Sequence, residues 1–199
     1  MLDRIRILAS ELVLGSLIAI LSVFFAYVSY AGAMADSDQN KNEIAGMKAL
    51  NDGNAEYLSG NQIWIQDDSN YDNWYTNRES NPDLAEYYRG NFTEALDAAI
   101  ERNGEDEYPM DEAYAEAIYA DANAFWEESD TAFELGSKWD ERGDKLQLVG
   151  LILALGIAFS AWASLLKDES KMRLLFSALA IVMLIVGTYF FLGTLAPIV

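Results

Sequence analysis

The sequence contains no cysteine and no histidine. Without cysteine there are no disulfides, no thiolate metal sites and no sulfur nucleophile. Without histidine the chain lacks the commonest transition-metal ligand, the usual haem axial ligand and the side chain most used as a general base near neutral pH. Any chemistry would rest on carboxylates, Tyr, Ser/Thr or Lys. No carboxylate pair has a spacing that marks an acid–base couple, and no cofactor fingerprint is present. The expectation is therefore a protein that is not an enzyme, with no cofactor and no resident metal.

Positive charge is the next scarcity. There are 13 Lys/Arg against 32 Asp/Glu, a net charge of −19. The imbalance is localised: residues 35–145 hold 28 acidic and 8 basic side chains, whereas the remaining 88 residues hold 4 and 5. A block this acidic repels nucleic-acid backbones, which excludes nucleic acid as a partner.

Long apolar runs are what the chain does have. Residues 12–34, LVLGSLIAILSVFFAYVSYAGAM, carry no charge and as a helix reach about 34 Å, enough for the ~30 Å hydrocarbon core of a bilayer. Residues 146–166 and 174–195 are uncharged and of similar length. Ala31-Gly32-Ala33 resembles a signal-peptidase site, but the first run exceeds the roughly 7–15 apolar residues of a signal peptide, so a retained span is expected. Arg4 and Arg6 precede span one, and Lys167, Lys171 and Arg173 lie in the turn between spans two and three. The positive-inside bias then puts the N-terminus and that turn in the cytoplasm and the C-terminus outside. The expected setting is the inner membrane of a prokaryote, with membrane lipid as the surrounding partner.

The predicted fold is all-α, organised as tail and span one over 1–34, an acidic extracytoplasmic helical domain over 35–145, and spans two and three over 146–199 with a cytoplasmic turn at 167–173. Within the acidic block, Tyr57, Trp64 and Tyr71 recur at sevens and argue for helix, with NDGN at 51–54 as a potential break. Asn81-Pro82-Asp83 starts a helix that places Leu84, Tyr88, Phe92, Leu96, Ala99 and Ile100 on one face and ends at Gly104. From Pro109 a further helix is expected to run into span two, the alternative being a break at the membrane surface marked by Gly136 and Gly143. Ile118, Phe125, Ala132, Trp139, Leu146 and Leu153 recur every seven residues, beside a small-residue row of Ala122, Ser129, Gly136, Gly143 and Gly150. Together these predict a helical hairpin whose arms continue spans one and two.

The layout resembles a family of uncharacterised bacterial three-span membrane proteins. The resemblance lies in a first span, a polar segment with a Trp-Tyr pair (Trp74-Tyr75), a helix feeding GLILALGIAFSAWASLLKDE, a charged turn, and a third span ending in Gly193. It covers most of the chain, although the acidic block here is longer. It implies the three-span topology and no particular activity.

The candidate functional residues lie in the spans. Gly15, Ala19, Ser22, Ala26, Ser29 and Ala33 share one face of span one, and Glu11 extends that face by a turn. Span two has Gly150, Ala154 and Ala158 in one row and Gly156, Ser160 and Ser164 in another. Small faces let membrane helices pack closely, so a homo-oligomer or docking with other membrane subunits is expected. A pore lined by Ser22 and Ser29, with the acidic block gathering cations at its mouth, is the alternative. Glu11, at the end of its span, can pair with Arg4 or Arg6. The runs 104–112 and 127–130 are acidic without EF-hand spacing, leaving Ca²⁺ or ligand sensing as a weaker alternative. Trp139 and Trp162 are expected as interfacial anchors.

Overall fold

The computed structural model describes residues 9–198. It is all-helical, with α1 over Glu11–Asn77, α2 over Pro82–Arg89, α3 over Glu94–Asn103, α4 over Glu112–Ile118, α5 over Ala120–Leu165 and α6 over Lys171–Gly193. Three of these, α1, α5 and α6, are long and apolar enough to cross a membrane. Only 22%, 33% and 17% of their most apolar windows are buried within the chain, so most of that apolar surface faces outward, as a lipid-embedded bundle requires. The chain divides into two compact units, Met1–Glu43 with Phe133–Val199, and Ile44–Ala132.

In the first unit the core is a line of bulky residues. Leu14, Leu17, Leu21 and Val28 of α1 are buried with Leu146, Val149 and Leu153 of α5 and Ala180 of α6. Lipid removes the hydrophobic drive between helices, so contact distance governs packing, and glycines set it here. A Cβ at Gly156 would lie 3.1 Å from both Leu21 Cδ2 and Met183 Cβ, and one at Gly187 would lie 2.9 Å from Leu153 Cδ2. Phe24 and Phe191 meet edge to face at 5.2 Å between centroids.

The ends of the three apolar helices are tied by one side chain. Arg173, only 3% exposed, donates from Nε to the Ala9 carbonyl and from Nη1 to the Leu166 carbonyl, both at 2.8 Å. The same Nη1 lies 2.5 Å from Asp168 Oδ1. The start of α1, the end of α5 and the turn after it thus share one guanidinium, whose flat fork can address several acceptors at once.

The second unit packs two helical segments closely. Ser129 Oγ donates to the Gly46 carbonyl at 2.9 Å, Trp126 Nε1 to Asn54 Oδ1 at 3.4 Å, and Tyr119 Oη to Asn61 Oδ1 at 2.7 Å. One number rises as the other falls, so the segments run antiparallel. The small-residue row predicted in α5 is buried at every member, Ala122 and Ser129 in this unit and Gly136, Gly143 and Gly150 in the other.

Three helix boundaries stand apart from the expected pattern, the first being that the helix expected from Pro109 begins at Glu112 and is divided at Tyr119 into α4 and α5. α1 continues through 51–54, because Gly53 is where the Trp126 ring seats: a Cβ there would meet the ring at 2.7 Å. That packing outweighs the weak helix propensity of Asn, Asp and Gly, a cost of roughly 0.5–1 kcal/mol per residue. The helix predicted over 82–103 instead breaks into α2 and α3. Thr93 leaves the helical region (φ −74°, ψ 161°) to cap α3, accepting from the Leu96 N–H at 3.2 Å.

Candidate functional site

The most enclosed polar group in the second unit is Asp67, fully buried on α1. Its carboxylate accepts three hydrogen bonds from residues distant in sequence. The Thr93 N–H reaches Oδ1 at 3.2 Å, and Oδ2 accepts from Thr93 Oγ1 at 2.5 Å and from Tyr114 Oη at 2.9 Å. A buried carboxylate is costly unless satisfied, and here the N-terminus of α3 and the phenol of α4 satisfy it. Asp67 therefore joins three helices through one side chain. Trp64 packs edge to face on the Tyr114 ring at 5.4 Å and closes that side. The Tyr114 phenol is pushed far above its ordinary pKa by burial and then by the bond to Asp67.

Around this hub lies an apolar cluster of Tyr71, Trp74, Ala85, Leu96, Ala99, Ile100, Met110 and Tyr114. Its edge is arginine-rich. Arg78 sits 4.1 Å from the Tyr75 ring centroid and pairs with Asp106 at 2.6 Å, and Arg89 lies 5.2 Å from the Trp74 centroid. The loop after α3 is held by the Tyr71 hydroxyl, which donates to the Glu107 carbonyl at 3.0 Å, and by Tyr108, which donates to Asp68 at 2.8 Å. Desolvation, then the bond to Asp68, push the Tyr108 phenol up to about 12. Arg102 grips Asp111 through Nε at 3.0 Å and Nη2 at 2.6 Å; with Asn103 and the Tyr114 N–H it holds that carboxyl well below the usual range. Tyr71, Tyr108, Tyr114, Arg78, Arg102 and Asp111 are thus engaged in holding the helices and the loop after α3 together. Among the described residues no three acidic side chains converge as metal ligands.

The predicted membrane face falls elsewhere. Gly15, Ala19, Ser22, Ala26, Ser29 and Ala33 are all exposed, and a Cβ added at Gly15 meets nothing within 4 Å. The chain packs its own core with the leucine side of α1 and leaves the small-residue side outward. Glu11 is exposed at the first turn of α1, while Arg4 and Arg6 lie outside the described residues.

Span two divides differently. Gly150, Gly156 and Ser160 are buried, Ala154 is half-buried, and Ala158 and Ser164 are exposed. Ser160 donates to the Gly156 carbonyl at 3.0 Å. Neither predicted row forms a single face: the buried line passes from Leu153 through Gly156 and Ser160 to Ala163. Trp139 is partly buried against the bundle core, and Trp162 is exposed on the membrane-length part of α5.

Sequence reasoning missed Asp67 and the buried glycines on its side of α1. Gly32, Gly46, Gly53, Gly60, Asp67 and Trp74 are separated by multiples of seven and are all buried. The same spacing in Tyr57, Trp64 and Tyr71 drew attention to the neighbouring row, of which Tyr57 is 41% exposed. Compared with protein-family models, curated proteins and solved structures, the chain matches none.

Proposed function

We propose that the protein is a non-enzymatic subunit of a membrane assembly, joined to further copies of itself or to other membrane subunits through the small-residue face of span one. The observation that carries this reading is the outward direction of that face. Six small residues at helical spacing have no role in the chain's own core, and small faces are what membrane helices use for close approach. In the proposed topology the N-terminus and the turn 167–173 are cytoplasmic, and residues 35–145 form an acidic extracytoplasmic hairpin in a prokaryotic inner membrane.

The cysteine-free chain makes the test direct. Ser22→Cys and Ala26→Cys are expected to form cross-linked dimers on mild oxidation in membranes, whereas Val23→Cys, off the face and 72% exposed, should not. Equal cross-linking at all three, or a strict monomer in detergent and in membranes, overturns the proposal for self-assembly. Capture of a second membrane subunit that is lost in Ala26→Leu would mark the partner as another chain.

Ser22 and Ser29 sit on the same outward face, which keeps a cation-conducting assembly as the second reading. Liposome flux that is absent, or unchanged in Ser22→Ala and Ser29→Ala, removes it.

A further inference from the structure

Two adjoining recesses in the first unit meet at Arg142. One, about 300 Å³, lies beside the end of α6 and is bordered by Lys138, Arg142 and Lys145, with Glu141 the one carboxylate among its lining residues. The other, about 240 Å³, is lined mainly by apolar and aromatic side chains, among them Tyr27, Met34, Trp139, Phe191 and Leu195. Arg142 borders both. A cationic recess opening onto an apolar trough at the end of a membrane-length helix matches a headgroup above an acyl chain.

The charge pattern singles out one of the three cations. Lys145 is paired with Glu141 at 2.7 Å, Lys138 lies 2.9 Å from Glu134, and Asp38 in the trough lining pairs with Lys41 at 2.7 Å. Arg142 has no carboxylate in ion-pair reach among the described residues. It lies instead 5.5 Å from the Trp139 ring centroid, which fixes its position without neutralising it. A guanidinium left this way presents paired N–H donors suited to two phosphate oxygens. Three of the eight basic residues in the acidic stretch 35–145 fall within these eight positions at the start of span two. Juxtamembrane cations of this kind attract lipid phosphate.

We propose that this site binds a phospholipid, with Arg142 taking the phosphate and the aromatic trough taking an acyl chain. The proposal rests on the membrane-spanning reading and not on self-assembly, so the cross-linking experiment and the lipid experiment can fail separately.

The test uses the full chain, purified in detergent and stripped of lipid. Thermal unfolding and native mass spectrometry are followed with dioleoylphosphatidylglycerol, with dioleoylglycerol, which has no phosphate, and with inorganic phosphate. The phospholipid is expected to raise Tm by several degrees and to remain bound in the gas phase, and the other two are not. Arg142→Gln should weaken phospholipid binding by about tenfold, since it removes the charge-assisted hydrogen bonds to the phosphate. Arg142→Lys should retain part of it, and Lys48→Gln, in the other unit, should leave it unchanged. Leu195→Trp, which narrows the trough, weakens binding without touching a charge. A response to dioleoylglycerol equal to that of the phospholipid overturns the role of Arg142. A response to inorganic phosphate alone overturns the lipid, and unaltered binding in Arg142→Gln overturns the site.

Discussion

At the scale of single residues, Asp67 gathers three long-range hydrogen bonds at one buried position. Asp67→Ala would leave the Thr93 N–H, the Thr93 hydroxyl and the Tyr114 hydroxyl without their acceptor. Each buried donor left unpaired costs about 1–3 kcal/mol, so a loss of at least ~3 kcal/mol is expected, read as a lower Tm of the full chain in detergent. Asp67→Asn keeps one carbonyl oxygen and should lose less. The tyrosines supply a pH signature. Tyr108 and Tyr114 have raised folded-state pKa values, so the protonated phenols favour the folded state. Their contribution is complete below pH 10 and is lost as pH rises toward about 12, the value for Tyr108. Spectrophotometric titration should therefore show delayed phenolate formation, coinciding with loss of near-UV circular dichroism. Asp111 acts at the opposite end. Its depressed pKa contributes stability above the ordinary value of 3.8, lost as pH falls further, and Asp111→Asn should blunt that acid sensitivity.

At the scale of helices, glycine separates two kinds of contact. Gly53→Ala and Gly60→Ala would each place a Cβ 2.7 Å from a ring carbon, of Trp126 and Tyr119 respectively. Overpacking costs ~1–3 kcal/mol and the gain in helix propensity is about 1 kcal/mol, so both substitutions should destabilise on balance. Gly15→Ala meets no neighbour and should stabilise the isolated chain slightly. Thermal unfolding of the three variants side by side checks the ordering. The helices themselves were legible in sequence because apolar runs and sevens are local patterns. Burial of Asp67 was not, because its donors lie 26 and 47 residues away, where no periodicity in α1 reports them. The stripe in span one was legible as a face, but spacing cannot say which way a face turns. The leucines at 14, 17 and 21 take the core, since bulky side chains fill the space between three helices better than Gly, Ala and Ser.

For the whole molecule, orientation follows from the balance of positive charge at the two ends of the spans. Arg4, Arg6, Lys167, Lys171 and Arg173 flank the spans at one end, while Lys41, Lys138, Arg142 and Lys145 flank them at the other. Five cations at one end face four at the other, and the positive-inside rule favours the first end as cytoplasmic. Single cysteines at Ser69 and Ser170 decide it. A membrane-impermeant maleimide applied to intact cells is expected to label Ser69→Cys and spare Ser170→Cys; the reverse pattern inverts the topology. Three of these four, Lys138, Arg142 and Lys145, border the recess proposed to take a lipid phosphate.

The glycines at 46, 53 and 60 have one further consequence. Gly53 and Gly60 each face a ring, Trp126 and Tyr119, and Gly46 lies one heptad before them, so a displacement of α1 by seven residues would still set glycine against aromatic, and the row alone leaves the alignment degenerate. Asp67, the next buried position along it, breaks that degeneracy. Moved one way, the carboxylate meets the Tyr119 ring site; moved the other, Thr93 and Tyr114 face Gly60 and find no acceptor. A buried polar residue acting as a register key is well attested in helix pairs. Asp67→Gly would make the row uniform, and a chain trapped in more than one alignment is the expected result.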